Sequence, residues 1–241
     1  MEYRNRKDDF EYNDNVILWQ DAINEKIMKN REIKSQVYTF YKNQCVVGIK
    51  AILQDSESLL NQLTYKDRYL PFLEKMTEHR RQEWLSVRIL VKELTGEEKE
   101  ILYQPSGKPY LADKSHYIGI SHTKGYVAVC LNKEKETAID IEKIAPRVKN
   151  IYSRFMSEEE EKALSKNQEL VHLLLHWSAK ESMFKILNET SVEFKSQLHI
   201  QAFEPLLYEW GSFQAYETRT GKQNLFTINY YVHEDYVLTY I

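Results

Sequence analysis

An internal repeat constrains the fold of this chain more than any other feature. Residues 84–94 (Trp-Leu-Ser-Val-Arg-Ile-Leu-Val-Lys-Glu-Leu) align with residues 177–187 (Trp-Ser-Ala-Lys-Glu-Ser-Met-Phe-Lys-Ile-Leu), with identity at Trp, Lys and the final Leu. A strand-like segment precedes each of them at a similar distance, 48–52 in one case and 138–142 in the other. We therefore predict an α+β fold of two similar halves, related by pseudo-twofold symmetry, with a cleft between them.

The halves are predicted to meet near residues 133–137. We divide the chain into residues 1–43, to which the sequence assigns no role, a first α+β half over 44–134, and a second over 135–241 that carries the metal site. A long helix is predicted from about Leu70 to Leu94, broken or restarted near Pro71 and stopped by Gly96, and others from Ser157 and over 169–188. Strands are predicted at 44–53, near 100–104, 117–121 and 125–132, at 137–143, and from the end of the last helix to the C-terminus.

Composition excludes several classes of protein. The 36 acidic and 33 basic residues give a net charge of −3, so no general basic field recruits nucleic acid. No stretch approaches the length of a membrane span, and the charged N-terminus lacks the apolar segment of a signal peptide. Cys45 and Cys130 lack metal-ligand spacing and are expected to be reduced core thiols. We expect a monomeric cytoplasmic protein that binds neither nucleic acid nor membrane.

Three carboxylates are the strongest chemical signal. In Ala138-Ile-Asp-Ile-Glu142 the strand alternation puts Asp140 and Glu142 on one face. Adjacent carboxylates repel each other, and a hard divalent cation between them is a common solution. A solvated strand face is the alternative.

The third carboxylate, Glu181, lies on the helix from Trp177 together with Lys180 and Lys185, which are suited to holding phosphate. A helical wheel places Lys180 inside the apolar arc, where burial of a lysine is costly unless an anion meets it. The alternative is an amphipathic helix with a surface pair between Glu181 and Lys185 and a Lys180 that reaches solvent.

Weaker candidates lie upstream of these acids. Lys108 is at the tip of the turn Ser106-Gly-Lys-Pro-Tyr110, and Ser121 and His122 end a strand. The absence of a Gly-x-Ser-x-Gly elbow argues against serine hydrolysis. Taken singly, these residues are equally compatible with an ordinary loop at Lys108 and a purely structural role for His122. The same holds for three arginines of the first long helix, for which surface charge is the default: Arg80, Arg81 and Arg88.

Taken in order, the motifs resemble the 4′-phosphopantetheinyl transferase superfamily, in particular its two-half, Sfp-like branch. The resemblance covers about residue 44 to the C-terminus. The motifs are Gly-Lys-Pro-Tyr (107–110), Ile-Ser-His (120–122), Ile-Asp-Ile-Glu (139–142), Phe-Met-Ser-Glu (155–158) and Trp-Ser-Ala-Lys-Glu-Ser-Met-Phe-Lys (177–185). The chain departs from the family pattern at Ala138, where Gly is usual, and at Gly119, where Asn is usual.

The resemblance implies Mg²⁺-dependent transfer of phosphopantetheine from coenzyme A to a serine of an acyl or peptidyl carrier protein, releasing adenosine 3′,5′-bisphosphate. It implies that Asp140, Glu142 and Glu181 bind the metal, and that Glu181 is the base, directly or through a metal-bound water. Two lysines would meet the pyrophosphate: Lys180 beside the metal and Lys185 at the pantetheine-side phosphate. The 3′-phosphate would be held by Lys108, Ser121 and His122, with Arg88 or Arg80 and Arg81.

Two further questions stay open at this level. The basic residues after the metal strand are expected either to steer an acidic carrier protein or to form a solvated linker: Lys143, Arg147, Lys149 and Arg154. The same three acids would also suit a different metal-dependent nucleotide or phosphate hydrolase, and a non-catalytic coenzyme A-binding protein is the remaining alternative.

Overall fold

The two long helices of the described residues each pack against an antiparallel sheet. The structure is a computed structural model that describes residues 37–42 and 45–241. Its strands are β1 (Val37–Lys42), β2 (Cys45–Ala51), β3 (Ile101–Tyr103), β4 (Pro109–Leu111), β5 (Tyr117–Thr123), β6 (Tyr126–Asn132), β7 (Ile139–Lys143), β8 (Leu198–Ile200), β9 (Trp210–Glu217), β10 (Leu225–Val232) and β11 (Tyr236–Tyr240). Its helices are α1 (Ser56–Leu60), α2 (Lys66–Leu73), α3 (Glu78–Thr95), α4 (Glu158–Lys162), α5 (Glu169–Leu187) and α6 (Phe194–Gln197), with 3₁₀ helices at Pro146–Asn150 and Tyr152–Arg154. A mixed α+β fold is confirmed.

The first sheet has the strand order β1-β2-β6-β5, with every neighbouring pair antiparallel. Helix α3 packs on it through Val87, Leu90 and Val91, which form a buried cluster with apolar side chains of β6. A Cβ atom at Gly48 of β2 would lie 2.8 Å from Leu90 Cδ1. The glycine therefore allows the helix to approach the sheet closely.

The predicted break of the long helix near Pro71 is wrong in its position, because α2 and α3 are separated at residues 74–77. Thr77 separates them, because its hydroxyl accepts a hydrogen bond from the backbone N–H of Arg80 at 3.4 Å and so starts α3 with its own N-cap. Pro71 lies inside α2 and does not mark the break. The predicted stop is confirmed, since Gly96 takes a left-handed φ of 78° after the last turn of α3.

The second sheet has the order β7-β11-β10-β9-β8 and is also antiparallel throughout. Helix α5 packs on it, with Leu173, Ala179 and Met183 in one buried cluster with Phe213 and Tyr230. The helix predicted from Ser157 is confirmed as α4: the Ser157 hydroxyl and the Glu160 carboxylate each accept the other residue's backbone N–H, which is a capping box.

Strands β1 and β4 were not among the strands predicted from the sequence, whereas β3 matches the strand predicted near 100–104. Strand β1 belongs to the segment 1–43, and it pairs with β2 over its whole length. Residues 1–36 of that segment lie outside the described residues. The short hairpin of β3 and β4 surrounds the turn that carries Lys108. The division at residues 43/44 and 134/135 stays a prediction. No helix in the described part of the chain is long and apolar enough to cross a membrane.

The two sheets approach each other where β5 lies against β7. A Cβ atom at Gly119 of β5 would lie 3.0 Å from both Ala138 Cα and the backbone nitrogen of Ile139. Further along, the backbone N–H of Lys143 donates to the Thr123 hydroxyl at 3.1 Å. The small residue at 119 therefore permits the contact, and the polar residues of β5 come to face the acidic residues of β7.

Candidate active site

Asp140 lies buried at the contact between β5 and β7. Its Oδ1 atom accepts hydrogen bonds from the Ser121 hydroxyl at 2.9 Å and from the Lys185 ammonium at 2.7 Å. Its Oδ2 atom is also buried, but no hydrogen-bond donor of the described residues meets it. A buried carboxylate oxygen without a donor is costly, so this atom is the part of the site that most requires an outside partner.

Glu142 and Glu181 share the surroundings of Asp140. Glu142 accepts a hydrogen bond from the indole Nε1–H of Trp177 at 2.8 Å, which fixes the carboxylate against α5. Burial, together with the charges of Asp140 and Glu181, raises the pKa of Glu142 to about 7. Burial and the charge of Asp140 also raise the pKa of Glu181, while Lys185 opposes the shift. The three acids therefore hold more negative charge than their protein surroundings balance.

The three carboxylates fit a hard divalent cation by their chemistry and by the unpartnered Oδ2 of Asp140. They do not form a closed cage: the described residues hold no group of three acidic, histidine or cysteine side chains placed around one point. Mg²⁺ usually keeps several waters and takes one or two protein carboxylates together with substrate phosphates. An open carboxylate site is therefore compatible with Mg²⁺ and would leave positions for phosphate oxygens.

Lys185 is the lysine that reaches these acids. Besides Asp140, its ammonium donates to the backbone carbonyl of Ile139 at 2.9 Å and to the Ser121 hydroxyl at 3.2 Å. The side chain remains about one-third exposed (32%), so the charge is accessible to a ligand from solvent. Lys185 and Asp140 tie α5 to both β5 and β7.

Lys180 is elsewhere, which corrects its expected catalytic and phosphate-binding role. Its ammonium is fully buried and donates to Glu160 Oε2 at 2.8 Å, to the carbonyl of Phe155 at 2.6 Å and to the carbonyl of Phe194 at 3.1 Å. These three acceptors match its three N–H groups. The anion that the buried lysine required is thus Glu160, and Lys180 connects α5 to α4 and α6.

His122 and Arg80 form a second polar group next to this site. The Arg80 guanidinium lies 2.9 Å from His122 Nε2, and His122 Nδ1 lies 3.1 Å from Glu83 Oε1. Burial is the main cause of a lowered His122 pKa. Sequence analysis missed Glu83; the signal available was its position three and four residues after Arg80 and His79 on one helix face.

The remaining predicted phosphate-binding residues are held by other contacts. Arg88 is buried, donates to the backbone carbonyl of Trp84 at 3.0 Å and lies over the Trp84 ring, and burial lowers its pKa to about 10. Arg81 donates through Nε to the carbonyl of Leu73 at 2.8 Å. Lys108 pairs with Glu136 at 2.9 Å. Arg88 and Arg81 thus join α3 to itself and to α2, and their predicted roles in phosphate binding stay predictions.

Comparison with known proteins gives one consistent family. Residues 136–241 match the family model of the 4′-phosphopantetheinyl transferase superfamily. Proteins named 4′-phosphopantetheinyl transferase AcpT, from two strains of Escherichia coli (O157:H7 and K12) and from Salmonella typhimurium, are each 30% identical to this chain over 112 residues. The alignments cover 44% of this chain and 57–58% of those proteins, so the chain spans little more than half the length of these relatives.

The family match contains β7 and α5, the elements that carry Asp140, Glu142, Glu181 and Lys185. The motifs at 139–142, 155–158 and 177–185 lie inside the matched region, and those at 107–110 and 120–122 lie before it. The resemblance to the 4′-phosphopantetheinyl transferase superfamily is thereby confirmed, with residues 136–241 as the matched part of the chain.

Proposed function

We propose that this protein transfers the 4′-phosphopantetheine group of coenzyme A to a serine of an acyl or peptidyl carrier protein, with Mg²⁺ as cofactor. One observation carries the proposal. Within the family-matched region, buried Asp140 presents a carboxylate oxygen without a donor beside an accessible Lys185. A metal ion bound to a phosphate would give each group a partner of opposite charge: the cation would meet the Asp140 carboxylate, and the phosphate would meet the Lys185 ammonium.

In the reaction, the serine oxygen forms a bond to the phosphorus next to the pantetheine arm. The bond from that phosphorus to the bridging oxygen breaks, and adenosine 3′,5′-bisphosphate leaves with the electron pair. Asp140, together with Glu142 or Glu181, would hold Mg²⁺, and the ion would neutralise charge that develops on the pyrophosphate oxygens. Lys185 would orient the pantetheine-side phosphate, and Lys180 would keep α5 in place rather than touch the substrate.

The serine hydroxyl must lose its proton to a nearby base. Glu181 is proposed for this role, acting directly or through a water molecule. The nucleotide end of coenzyme A would lie towards β5, where His122 and Arg80 are partly exposed and the buried Ser121 contacts Lys185.

The Sfp-like architecture of two pseudo-symmetric halves with a cleft is also proposed. Strand order supports it: β2-β6-β5 in the first sheet and β7-β11-β10 in the second both place the last strand of a segment between its first and penultimate strands. The equivalents of the acids differ, since Lys50 is buried and pairs with Glu93 at 3.4 Å. If the halves are equivalent, the metal chemistry belongs to the second, and a monomer holds the complete site.

The carrier protein is proposed to dock on the two 3₁₀ helices that follow β7. They present Arg147 and Arg154 to solvent, together with Lys149, whose ammonium pairs with Glu169 at 2.7 Å, and Lys143 at the end of β7. An acidic partner would be attracted by this group. Reversing the charge of Arg147 and Arg154 should slow transfer to carrier protein and leave coenzyme A affinity unchanged; unaffected carrier kinetics would refute the docking surface.

The direct test is incubation with coenzyme A, Mg²⁺ and an apo carrier protein, with mass spectrometry to detect phosphopantetheine addition. Addition is expected for the wild type and for Glu159→Gln, an exposed control, but not for Asp140→Asn or Glu181→Gln. Folded carboxylate variants with normal transfer would refute the assignment. Release of phosphate or nucleotide without a carrier would indicate a hydrolase, and coenzyme A binding without turnover would indicate a non-catalytic protein.

A further inference from the structure

Glu83 is a buried carboxylate whose partners are all more exposed than it is. Its side chain is 7% exposed, whereas those of His79, Arg80 and His122 are 62%, 48% and 42% exposed. Glu83 Oε1 lies 3.1 Å from His79 Nε2 and 3.1 Å from His122 Nδ1, and Glu83 Oε2 lies 3.1 Å from an Arg80 guanidinium nitrogen. The buried Glu83 carboxylate thus contacts three basic side chains that are partly exposed to solvent.

The hydrogen bonds fix the tautomer of His122. A guanidinium can only donate, so His122 Nε2 accepts from Arg80 at 2.9 Å and carries no proton. The proton is then on Nδ1, which donates to Glu83. In this neutral form His122 Nε2 carries a lone pair and no proton. It cannot donate a hydrogen bond to an anion until it is protonated.

Protonation of His122 changes what this group can bind. An imidazolium Nε2–H and the Arg80 guanidinium repel each other unless an anion lies between them, and two convergent donors are a good phosphate ligand. The charged groups that face His122 shift its pKa in opposite directions. Arg80, Lys185 and His79 lower the pKa, as burial does, and Glu83 raises it. Glu83 is the only one of these charges that is negative, and its hydrogen bond to Nδ1–H survives protonation.

We propose that Glu83 is a positioning residue for a phosphate monoester: it holds His122 through Nδ1 so that the ring can take up a proton and donate Nε2–H, with Arg80, to the phosphate. The inference rests on the proposed function, in which that group is the 3′-phosphate of coenzyme A. Glu83 itself touches no substrate. Binding of the phosphate is then coupled to uptake of a proton at His122.

The test compares the wild type, Glu83→Gln and Glu74→Gln, an exposed control with the same loss of charge just before helix α3. Calorimetry with adenosine 3′,5′-bisphosphate in buffers of different ionisation heat measures affinity and proton uptake between pH 6 and 8. Binding by the wild type and the control is expected to take up a proton near neutral pH. Glu83→Gln is expected to bind about tenfold or more weakly and without that uptake, and its KM for coenzyme A should rise while kcat is kept.

A second readout is independent of ligand and of turnover. The His122 ring proton signals, followed by NMR against pH in the free protein, should titrate at lower pH in Glu83→Gln than in the other two proteins. Equal affinity, equal proton uptake and an unchanged His122 titration in Glu83→Gln would overturn the proposal.

The outcomes separate this inference from the proposed function. If the wild type transfers normally and Glu83→Gln has the same affinity, proton uptake and His122 titration as the wild type, the role of Glu83 is refuted and the transferase function is left intact. Bisphosphate binding that depends on Glu83, in a wild type that transfers nothing, would support the phosphate site and refute the function. A wild type that binds no bisphosphate would overturn the phosphate site.

Discussion

Replacing Lys180 by methionine is expected to destabilise the fold, not merely to stop catalysis. The ammonium has no exposed surface, and Glu160 and the carbonyls of Phe155 and Phe194 accept its three hydrogen bonds. Methionine fills similar space without a donor. The variant would therefore leave a buried carboxylate without its counter-charge, although Glu160 still accepts the backbone N–H groups of Ser157 and Ile200.

The size of the effect follows from the burial of both partners. Removing one member of a buried ion pair costs about 3–5 kcal/mol, since the charge left behind stays desolvated. For a domain of this size each kcal/mol lowers Tm by about 2–4 °C, so a Tm decrease of about 6–20 °C is expected. The exposed Lys195, which donates to the carbonyl of Ser153 at 3.3 Å, provides a control: Lys195→Met should change stability by less than about 0.5 kcal/mol.

Urea unfolding followed by circular dichroism measures both variants, and transfer activity is assayed below the unfolding range. In a double-mutant cycle, Lys180→Met combined with Glu160→Gln should cost less than the sum of the single changes, because the unpaired charge is then absent. A Lys180→Met protein as stable as the wild type but inactive would refute this reasoning. It would return Lys180 to the catalytic role that the sequence suggested.

Three further outcomes are expected. Gly119→Ala should lower Tm and transfer together, measured by thermal unfolding and mass spectrometry, because its Cβ would press 3.0 Å from the backbone of β7; an unchanged Tm would contradict that contact. Burial lowers the pKa of His176 to about 3, so the unfolded chain binds more protons below about pH 6.5 and stability falls as the pH decreases towards 3. Urea unfolding at pH 7 and pH 5 should show that the free energy of unfolding falls by about 2 kcal/mol between the two. The free energy of unfolding of His176→Gln should depend less on pH; an equal dependence would refute His176 as the cause. Mg²⁺ at ten times its Kd should raise the free energy of unfolding of the wild type by about 1.4 kcal/mol and leave that of Asp140→Asn unchanged. An equal Tm increase in both proteins would show that the ion binds away from Asp140.

The sequence predicted the elements that have strong local signals. Ser157 and Glu160 form the expected helix start, Gly96 ends α3, and the alternation of Asp140 with its apolar neighbours gives β7. These features depend on residues a few positions apart, so periodicity and capping chemistry are enough to find them. The same local reasoning put the break between α2 and α3 near Pro71, because it overlooked the cap at Thr77.

The sequence by itself singled out, by charge and spacing, the three acids on which the proposed function depends: Asp140, Glu142 and Glu181. Only the tertiary structure decided what each basic residue does. Lys180 and Lys185 are five positions apart on α5, yet one is buried against Glu160 and the other reaches Asp140. The physical reason is that a cation's role depends on the anion it meets, and such anions come from elements far away in the chain. Glu83 and His122 likewise meet only because the β5 strand and helix α3 pack together.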